Sequence, residues 1–212
     1  LNMANYDLSR QKGLTSPTGE IVDYYSGRPF ICNAEQLIKR YDEAGIEKGA
    51  LLPIVSPEVY LPQSNEEILE MAEQYPNRFI PFCNIDPRAL TNSADAPLDR
   101  LLRYYRDLGC KGLGEVTANL RFDDPLVENL FRCCQEVGFP VTFHVATRLG
   151  GTYGLYDEAG LPLLENALRK YPELVFLGHS QAFWAEIAPL EHAEDRGGYP
   201  TGPVVREGRV VE

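Results

Sequence analysis

The chain has 212 residues, and with 44% hydrophobic and 24% charged residues its composition is that of an ordinary folded globular protein, which excludes general disorder. Its length favours a single domain, which we predict over residues 1–212. No apolar run approaches the roughly 18 residues that a membrane span requires. The net charge of −11 repels phosphate backbones and anionic headgroups, which argues against nucleic acid and membranes as partners.

From residue 34 onward, helical and strand-like patterns alternate along the chain. The predicted elements are a helix over 34–44, a strand over 49–55, a helix capped by Ser64 and ended at 75–77, a strand over 79–85, a helix over 98–108, a strand over 110–116, a helix over 125–137, a strand over 141–145, a helix over 163–170, a strand over 174–177 and a short helix over 183–187. The strand starts recur at the roughly 30-residue interval of βαβ units. We therefore predict a parallel sheet flanked by helices, although periodicity alone does not separate an open sheet from a closed (β/α)₈ barrel.

The ends of the chain and its glycine-rich segment do not fit this alternation. Residues 1–33 and 188–212 are predicted to be rich in loops, with 203–211 forming either a hairpin or a loop that enters a further helix. The sequence has no dinucleotide-binding fingerprint and no P-loop, so residues 149–154 are predicted as a mobile loop. The five cysteines are odd in number and lack a CxxC pair, which predicts reduced thiols in a cytoplasmic protein.

Two histidines end successive predicted strands. His144 follows 141–143 and His179 follows 174–178, at the carboxyl edge where the active sites of parallel α/β folds gather. Glu115 holds the equivalent place on the preceding strand. Imidazole and carboxylate are ligands for zinc, manganese or iron, and a carboxylate can also accept a proton from water. Each residue alone is compatible with a structural role, but the equivalent positions of the two histidines favour a metal site.

Two further residues near these strand ends are candidates for substrate binding. Arg148 can anchor a substrate carboxylate through its guanidinium group, or it can pair with a surface acid. Trp184 can line a pocket or belong to the core. Asp86 is predicted to form a turn rather than bind a metal, and His192 to lie in a solvated loop.

Four motifs carry a resemblance to the amidohydrolase superfamily, in its branch of TIM-barrel metal-dependent hydrolases. They are RFIPF at 78–82 continuing to IDP at 85–87, GCKGL at 109–113, GFPVTFH at 138–144, and YP at 171–172 continuing to LGH at 177–179, within a resemblance that covers about residues 34–187. The resemblance implies a distorted (β/α)₈ barrel of which these are the second to sixth strands. It also implies that His144 and His179 occupy the metal positions of the fifth and sixth strands, with Glu115 at the fourth-strand position.

The sequence also departs from the pattern of this family. The HxH motif of the first strand is absent, and no aspartate of an eighth strand follows before the sequence ends at Glu212. We therefore expect an incomplete barrel, which is either the middle of a longer protein or a product completed by a second copy as a homo-oligomer.

The resemblance implies metal-dependent hydrolysis of a small-molecule substrate. A divalent metal, zinc before manganese or iron, would activate a water molecule that attacks an amide, ester or lactone carbonyl. Some members of this branch are similar instead to aminocarboxymuconate semialdehyde decarboxylase, a nonhydrolytic lyase, and a third interpretation is a catalytically incomplete barrel fragment with a structural or interaction role. Glu115 is thus predicted to be both catalytic and metal-binding, His144 and His179 to bind the metal, and Arg148 and Trp184 to bind substrate.

Overall fold

The structure, a computed structural model, describes residues 33–56, 63–150, 154–186, 204–206 and 209–211. The elements in chain order are α1 Ala34–Ala44, β1 Gly49–Leu51, α2 Asn65–Gln74, β2 Phe79–Pro81, α3 Leu98–Asp107, β3 Leu113–Val116, α4 Pro125–Val137, β4 Val141–Ala146, β5 Leu155–Tyr156, α5 Pro162–Lys170, β6 Phe176–His179, α6 Gln181–Trp184, β7 Val204–Arg206 and β8 Arg209–Val211. The predicted alternation of helices and strands is confirmed. In these ranges, no helix combines the length and the apolar character needed to cross a membrane.

The main strands run parallel to one another. β1 pairs with β2, and β4 pairs with both β3 and β6, in each case parallel. A parallel bridge between Cys83 and Leu113, supported by a hydrogen bond from the Lys111 amide to the Pro81 carbonyl, connects β2 to β3. The spatial order is therefore β1-β2-β3-β4-β6. Within the part of the chain that the structure describes, these strands form an incomplete barrel rather than a closed one, as predicted.

Capping residues determine where α1, α2 and α4 begin. Asn33 and Ser64 form capping boxes at the starts of α1 and α2. Asp124 caps α4, whose first residue is Pro125, and Gly138 ends this helix in the left-handed conformation with φ 78°. α1, α2 and α4 consequently match their predicted ranges closely.

The strands differ more from their predicted ranges. The strands predicted over 49–55, 79–85 and 110–116 contain three or four residues each, and the strand predicted over 174–177 is displaced to Phe176–His179. Strand ends depend on hydrogen bonds to neighbouring strands, which a local apolar pattern does not report. The helix predicted over 183–187 lies at Gln181–Trp184.

The strand β5 was not predicted. It pairs with Val145–Ala146 of β4, and a bridge between Arg121 and Tyr156 joins it to the segment that follows β3. It has only two residues, and these pairings with distant segments stabilise it. Of the loop predicted over 149–154, residues 151–153 lie outside the described ranges.

The core lies between the sheet and the helices and positions β4. The ring of Phe143 in β4 contacts those of Phe122 and Phe183, at centroid distances of 5.2 and 5.9 Å. Because successive side chains of a strand point to opposite faces, the burial of Phe143 in this cluster directs His144 to the other face of the sheet.

Two further predictions concern the cysteines and the ends of the chain. Four buried cysteines are free thiols, as predicted, namely Cys83, Cys110, Cys133 and Cys134, while Cys32 lies outside the described residues. β7 and β8 pair antiparallel, which is the hairpin alternative for 203–211. Residues 1–32 and 187–203, including His192, also lie outside the described ranges.

Candidate metal centre

Glu115, His144 and His179 come together on three neighbouring strands. His144 of β4 and His179 of β6 are directly opposite each other in the strand register, and their ring centroids are 5.7 Å apart. Glu115 reaches them from β3, and one donor atom of each residue lies within 4.8 Å of the others. The structure therefore brings together the three residues that the sequence proposed as metal ligands.

One carboxylate oxygen lies at the centre of this cluster. Oε1 of Glu115 is 2.8 Å from Nδ1 of His144 and 3.3 Å from Nε2 of His179. The side chain of Glu115 is buried and that of His144 is partly buried, whereas that of His179 is 49% exposed. The cluster is thus open to solvent on the side of β6, where a small molecule can approach.

The three groups influence one another electrostatically. Burial acts to raise the pKa of Glu115, but the hydrogen bonds and charges of His144 and His179 act in the opposite direction and lower it to about 2. The carboxylate of Glu115 raises the pKa of His179 above its ordinary value, although partial burial opposes this. Glu115 is therefore a carboxylate throughout the neutral range.

Two residues that sequence reasoning missed hold the histidines in place. Gly154 has φ 109°, and a Cβ added there would lie 2.7 Å from the carbonyl oxygen of His144 and 2.8 Å from Cδ2 of its ring. Ser180 follows His179, and its buried hydroxyl accepts a hydrogen bond from the Val145 amide at 3.0 Å. The only sequence signals were a glycine in a glycine-rich stretch and a small polar residue after a strand, and neither is specific.

The other predicted residues lie around the carboxyl ends of the strands. Arg148 is exposed two residues after β4, and its carbonyl accepts a hydrogen bond from Asn119 Nδ2 at 3.3 Å. Trp184 ends α6 and is also exposed. Asp86 Oδ1 accepts a hydrogen bond from the Arg88 amide at 2.9 Å, which agrees with the predicted turn.

The donor chemistry of the cluster fits a divalent metal ion. Two imidazole nitrogens and one carboxylate oxygen are ligands for zinc, manganese or iron, and an ionised carboxylate offsets part of the charge of the ion. Three protein donors leave coordination positions open, which is typical of catalytic rather than structural zinc sites. Glu115, His144 and His179 are the residues that would hold such an ion.

Comparison of the sequence with known families identifies the class of protein. The sequence profile of the amidohydrolase family matches residues 56–199, which is more than half of the chain. The chain therefore belongs to the amidohydrolase family. No curated protein sequence matches it.

Several solved structures resemble the fold. An uncharacterised TIM-barrel protein from Bordetella bronchiseptica is 20% identical with a TM-score of 0.56, over 73% of this chain and 53% of that one. A probable 2-pyrone-4,6-dicarboxylic acid hydrolase from Acinetobacter baumannii is 15% identical, with a TM-score of 0.46. The match covers 87% of this chain and 58% of that one. A 2,6-dihydroxybenzoate decarboxylase from Rhizobium is 18% identical, with a TM-score of 0.48. The match covers 75% of this chain and 56% of that one. The Bordetella structure supports a TIM-barrel-type fold, and the chain spans between 53% and 58% of the length of these three structures.

Proposed function

We propose that this amidohydrolase-family protein is a metal-dependent hydrolase that cleaves an amide, ester or lactone bond at the carbonyl group of a small molecule. The observation that carries the proposal is the convergence of Glu115, His144 and His179, whose donor atoms lie within 4.8 Å of one another. Membership of the family supports the same chemistry. The exposed side of His179 supports access for a small substrate.

In this proposal each residue of the cluster has a stated role. His144 and His179 hold a divalent ion, zinc before manganese or iron, and Glu115 completes the donor set. When bound, such an ion polarises a carbonyl oxygen and lowers the pKa of water. Oε1 of Glu115 contacts both imidazoles, which supports its role as a ligand ahead of its second proposed role as a proton acceptor. Nδ1 of His144 and Oε1 of Glu115 lie 2.8 Å apart, so both face the space that an ion would occupy.

Arg148 and Trp184 are proposed to bind the substrate. Both are exposed and follow the strands β4 and β6 that carry the histidines. A guanidinium group recognises a carboxylate through two parallel hydrogen bonds, and an indole ring supplies apolar contact. A substrate that carries a carboxylate and a ring would match this pair.

The first experiment measures the metal content of protein purified without chelator or an affinity-tag metal. We expect about one equivalent of a divalent ion in the wild type, and its loss in His144→Ala and in His179→Ala, because each substitution removes one of three donors. His192→Ala, which changes the third histidine of the sequence, is the matched control and should retain the metal. A well-folded wild-type protein without metal affinity would contradict the proposal.

A second experiment separates hydrolysis from decarboxylation. The metal-loaded protein is incubated with carboxylated esters, lactones and amides and with carboxylated phenols, while acid release and carbon dioxide are both monitored. Hydrolysis produces an acid without carbon dioxide, whereas a lyase releases carbon dioxide without consuming water. Release of carbon dioxide alone would replace the hydrolase by the decarboxylase alternative and leave the metal site in place.

A further inference from the structure

Asn84 joins the carboxyl ends of three strands beside the candidate metal centre. Its Nδ2 donates hydrogen bonds to the carbonyl oxygens of Pro53, at 2.8 Å, and of Glu115, at 2.6 Å. Pro53 follows β1, Asn84 follows β2 and Glu115 lies in β3. Asn84 is only 2% exposed, so water does not compete for these bonds.

A second asparagine fixes the main chain of Asn84. Oδ1 of Asn65, the first residue of α2, accepts a hydrogen bond from the Asn84 amide at 2.7 Å. Nδ2 of Asn65 donates to the Asn84 carbonyl at 3.0 Å. Asn84 is therefore held through both its main-chain groups, and its side chain has little freedom to move away from Glu115.

The hydrogen-bond partners determine the orientation of the Asn84 amide. Carbonyl oxygens only accept hydrogen bonds, so the group that faces those of Pro53 and Glu115 must be the NH₂ group. A flipped amide, or an aspartate, would place an oxygen against two other oxygens. The contact thus requires a side chain with two donors at this position.

Glu115 needs such support because regular strand pairing is interrupted beside it. Leu113 of β3 pairs with Val141 of β4 and Val116 pairs with Phe143, with a shift of register between them. Glu115 lies within this shift. The bond from Asn84 provides a defined partner for its carbonyl where the regular ladder is irregular.

We propose that Asn84 is a positioning residue, which sets where the Glu115 carboxylate meets His144 and His179 by holding the main chain of Glu115. The importance of this role for metal binding rests on the proposed function, whereas its effect on the Glu115–His144 hydrogen bond does not. Residues that orient metal ligands typically change metal affinity by 10- to 100-fold when they are removed.

The chain offers a matched control for this proposal. Asn129 in α4 is also buried, and its Nδ2 also donates to a main-chain carbonyl, that of Ala96, at 2.9 Å. Asn84→Ala and Asn129→Ala thus each delete a buried amide that bonds to the main chain. Only Asn84 bonds to a residue of the candidate metal centre.

The experiment measures two properties in wild type, Asn84→Ala, Asn65→Ala and Asn129→Ala. The first is the affinity for Co²⁺, followed by its visible absorption, and the second is the proton NMR signal of the imidazole N–H between His144 and Glu115 without added metal. We expect Asn84→Ala to weaken Co²⁺ binding by about 10- to 100-fold and to shift or broaden the N–H signal. Asn65→Ala should have a smaller effect in the same direction, and Asn129→Ala should change neither property.

Each outcome bears on the proposal. A folded Asn84→Ala protein with unchanged Co²⁺ affinity and an unchanged N–H signal would overturn it. If the wild type binds no Co²⁺, the proposed function fails, while the N–H signal still decides whether Asn84 positions Glu115. If Asn84→Ala does not fold, Asn84→Ser retains one donor and should give an intermediate loss, and wild-type behaviour of that variant would refute the positioning role.

Discussion

His144 is restrained by neighbours on several sides of its ring and main chain. Glu115 binds Nδ1, Gly154 packs against the ring edge at Cδ2, and the preceding Phe143 lies in the aromatic core. A small rotation of the imidazole would disturb at least one of these contacts. The residues next to a candidate ligand therefore matter as much for its geometry as the ligand itself.

The contact at Gly154 predicts a specific mutational effect. Gly154→Ala places a Cβ against the main chain and ring of His144, and we expect weaker metal binding together with lower stability. The control is Gly160→Ala, which has a similarly positive φ of 82° but nothing within 4 Å of the added Cβ. In both variants, backbone strain should lower the free energy of unfolding by about 1 kcal/mol. Only Gly154→Ala should also weaken metal binding. Equal metal affinities in the two variants would show that the Gly154 contact does not position His144.

The proposed role of Arg148 predicts that its substitution has a selective effect on substrate binding. Arg148→Ala should raise KM for a carboxylated substrate by about tenfold or more, because a hydrogen bond to a charged group contributes roughly 1.5–3 kcal/mol. Metal content should not change, since Arg148 is not one of the three clustered residues. Steady-state kinetics with a carboxylated substrate and its uncharged analogue provide the measurement. Equal effects on both substrates would remove Arg148 from the binding site.

The sequence predicted which residues come together at the candidate site better than it predicted their supports. Glu115, His144 and His179 are polar residues at equivalent strand ends, and that placement follows from periodicity alone. Asn84 and Gly154 act through contacts with segments distant in the chain, so no local pattern distinguishes them from other asparagines and glycines. Contacts of this kind become apparent only when the strand register is known.

At the scale of elements, α5 begins without a capping side chain at Leu161. Asp157, four residues before Leu161, caps the helix instead. Its carboxylate accepts hydrogen bonds from the amides of Glu158, Leu163 and Leu164 at 2.8, 3.1 and 2.8 Å. Asp157 is fully buried, and the Leu164 amide that it binds is buried as well. The loop between β5 and α5 thus depends on one buried carboxylate.

This arrangement predicts an unequal effect of two similar substitutions. Asp157→Ala should lower the free energy of unfolding by about 2–3 kcal/mol, because it removes three hydrogen bonds and leaves the buried Leu164 amide without its partner. Asp124 caps α4 at a more exposed position, so Asp124→Ala should lower the free energy of unfolding by only about 1 kcal/mol. Urea denaturation of both variants measures the difference. Similar losses in the two proteins would mean that Asp157 acts only as an ordinary helix cap.

Helices were more predictable than strands for a physical reason. The ends of α1, α2 and α4 are set by Asn33, Ser64, Asp124 and Gly138, whose side-chain bonds or φ angles are local to the helix. The strand β5 depends on pairing with β4 and with the segment that contains Arg121. A two-residue strand of this kind has almost no intrinsic signal, so its prediction needs the tertiary structure.

At the scale of the whole molecule, the face of β6 that carries His179 is exposed in the described structure. Val175, Leu177 and His179 alternate along this segment and are 58%, 39% and 49% exposed. Apolar side chains on a strand that lies at the edge of a described sheet favour association. The sequence-based expectation of a homo-oligomer remains a prediction at this surface.

The prediction is tested by sedimentation velocity over a range of protein concentrations. We expect concentration-dependent association of the wild type, and its weakening in Leu177→Lys, because a charge in an apolar contact is costly. Leu168→Lys changes a leucine of α5 that is 46% exposed and should leave association unchanged. A monomeric wild type at all concentrations would contradict the expectation.

The three clustered residues belong to three different strands, and Glu115 and His144 are 29 residues apart in sequence. An ion held by them would be a reversible cross-link, because it would join segments that the unfolded chain keeps far apart. Its binding free energy would add to the free energy of unfolding, by about 2.7 kcal/mol at a free metal concentration 100 times Kd. Thermal denaturation with and without chelator would then report formation of the site before any substrate is known.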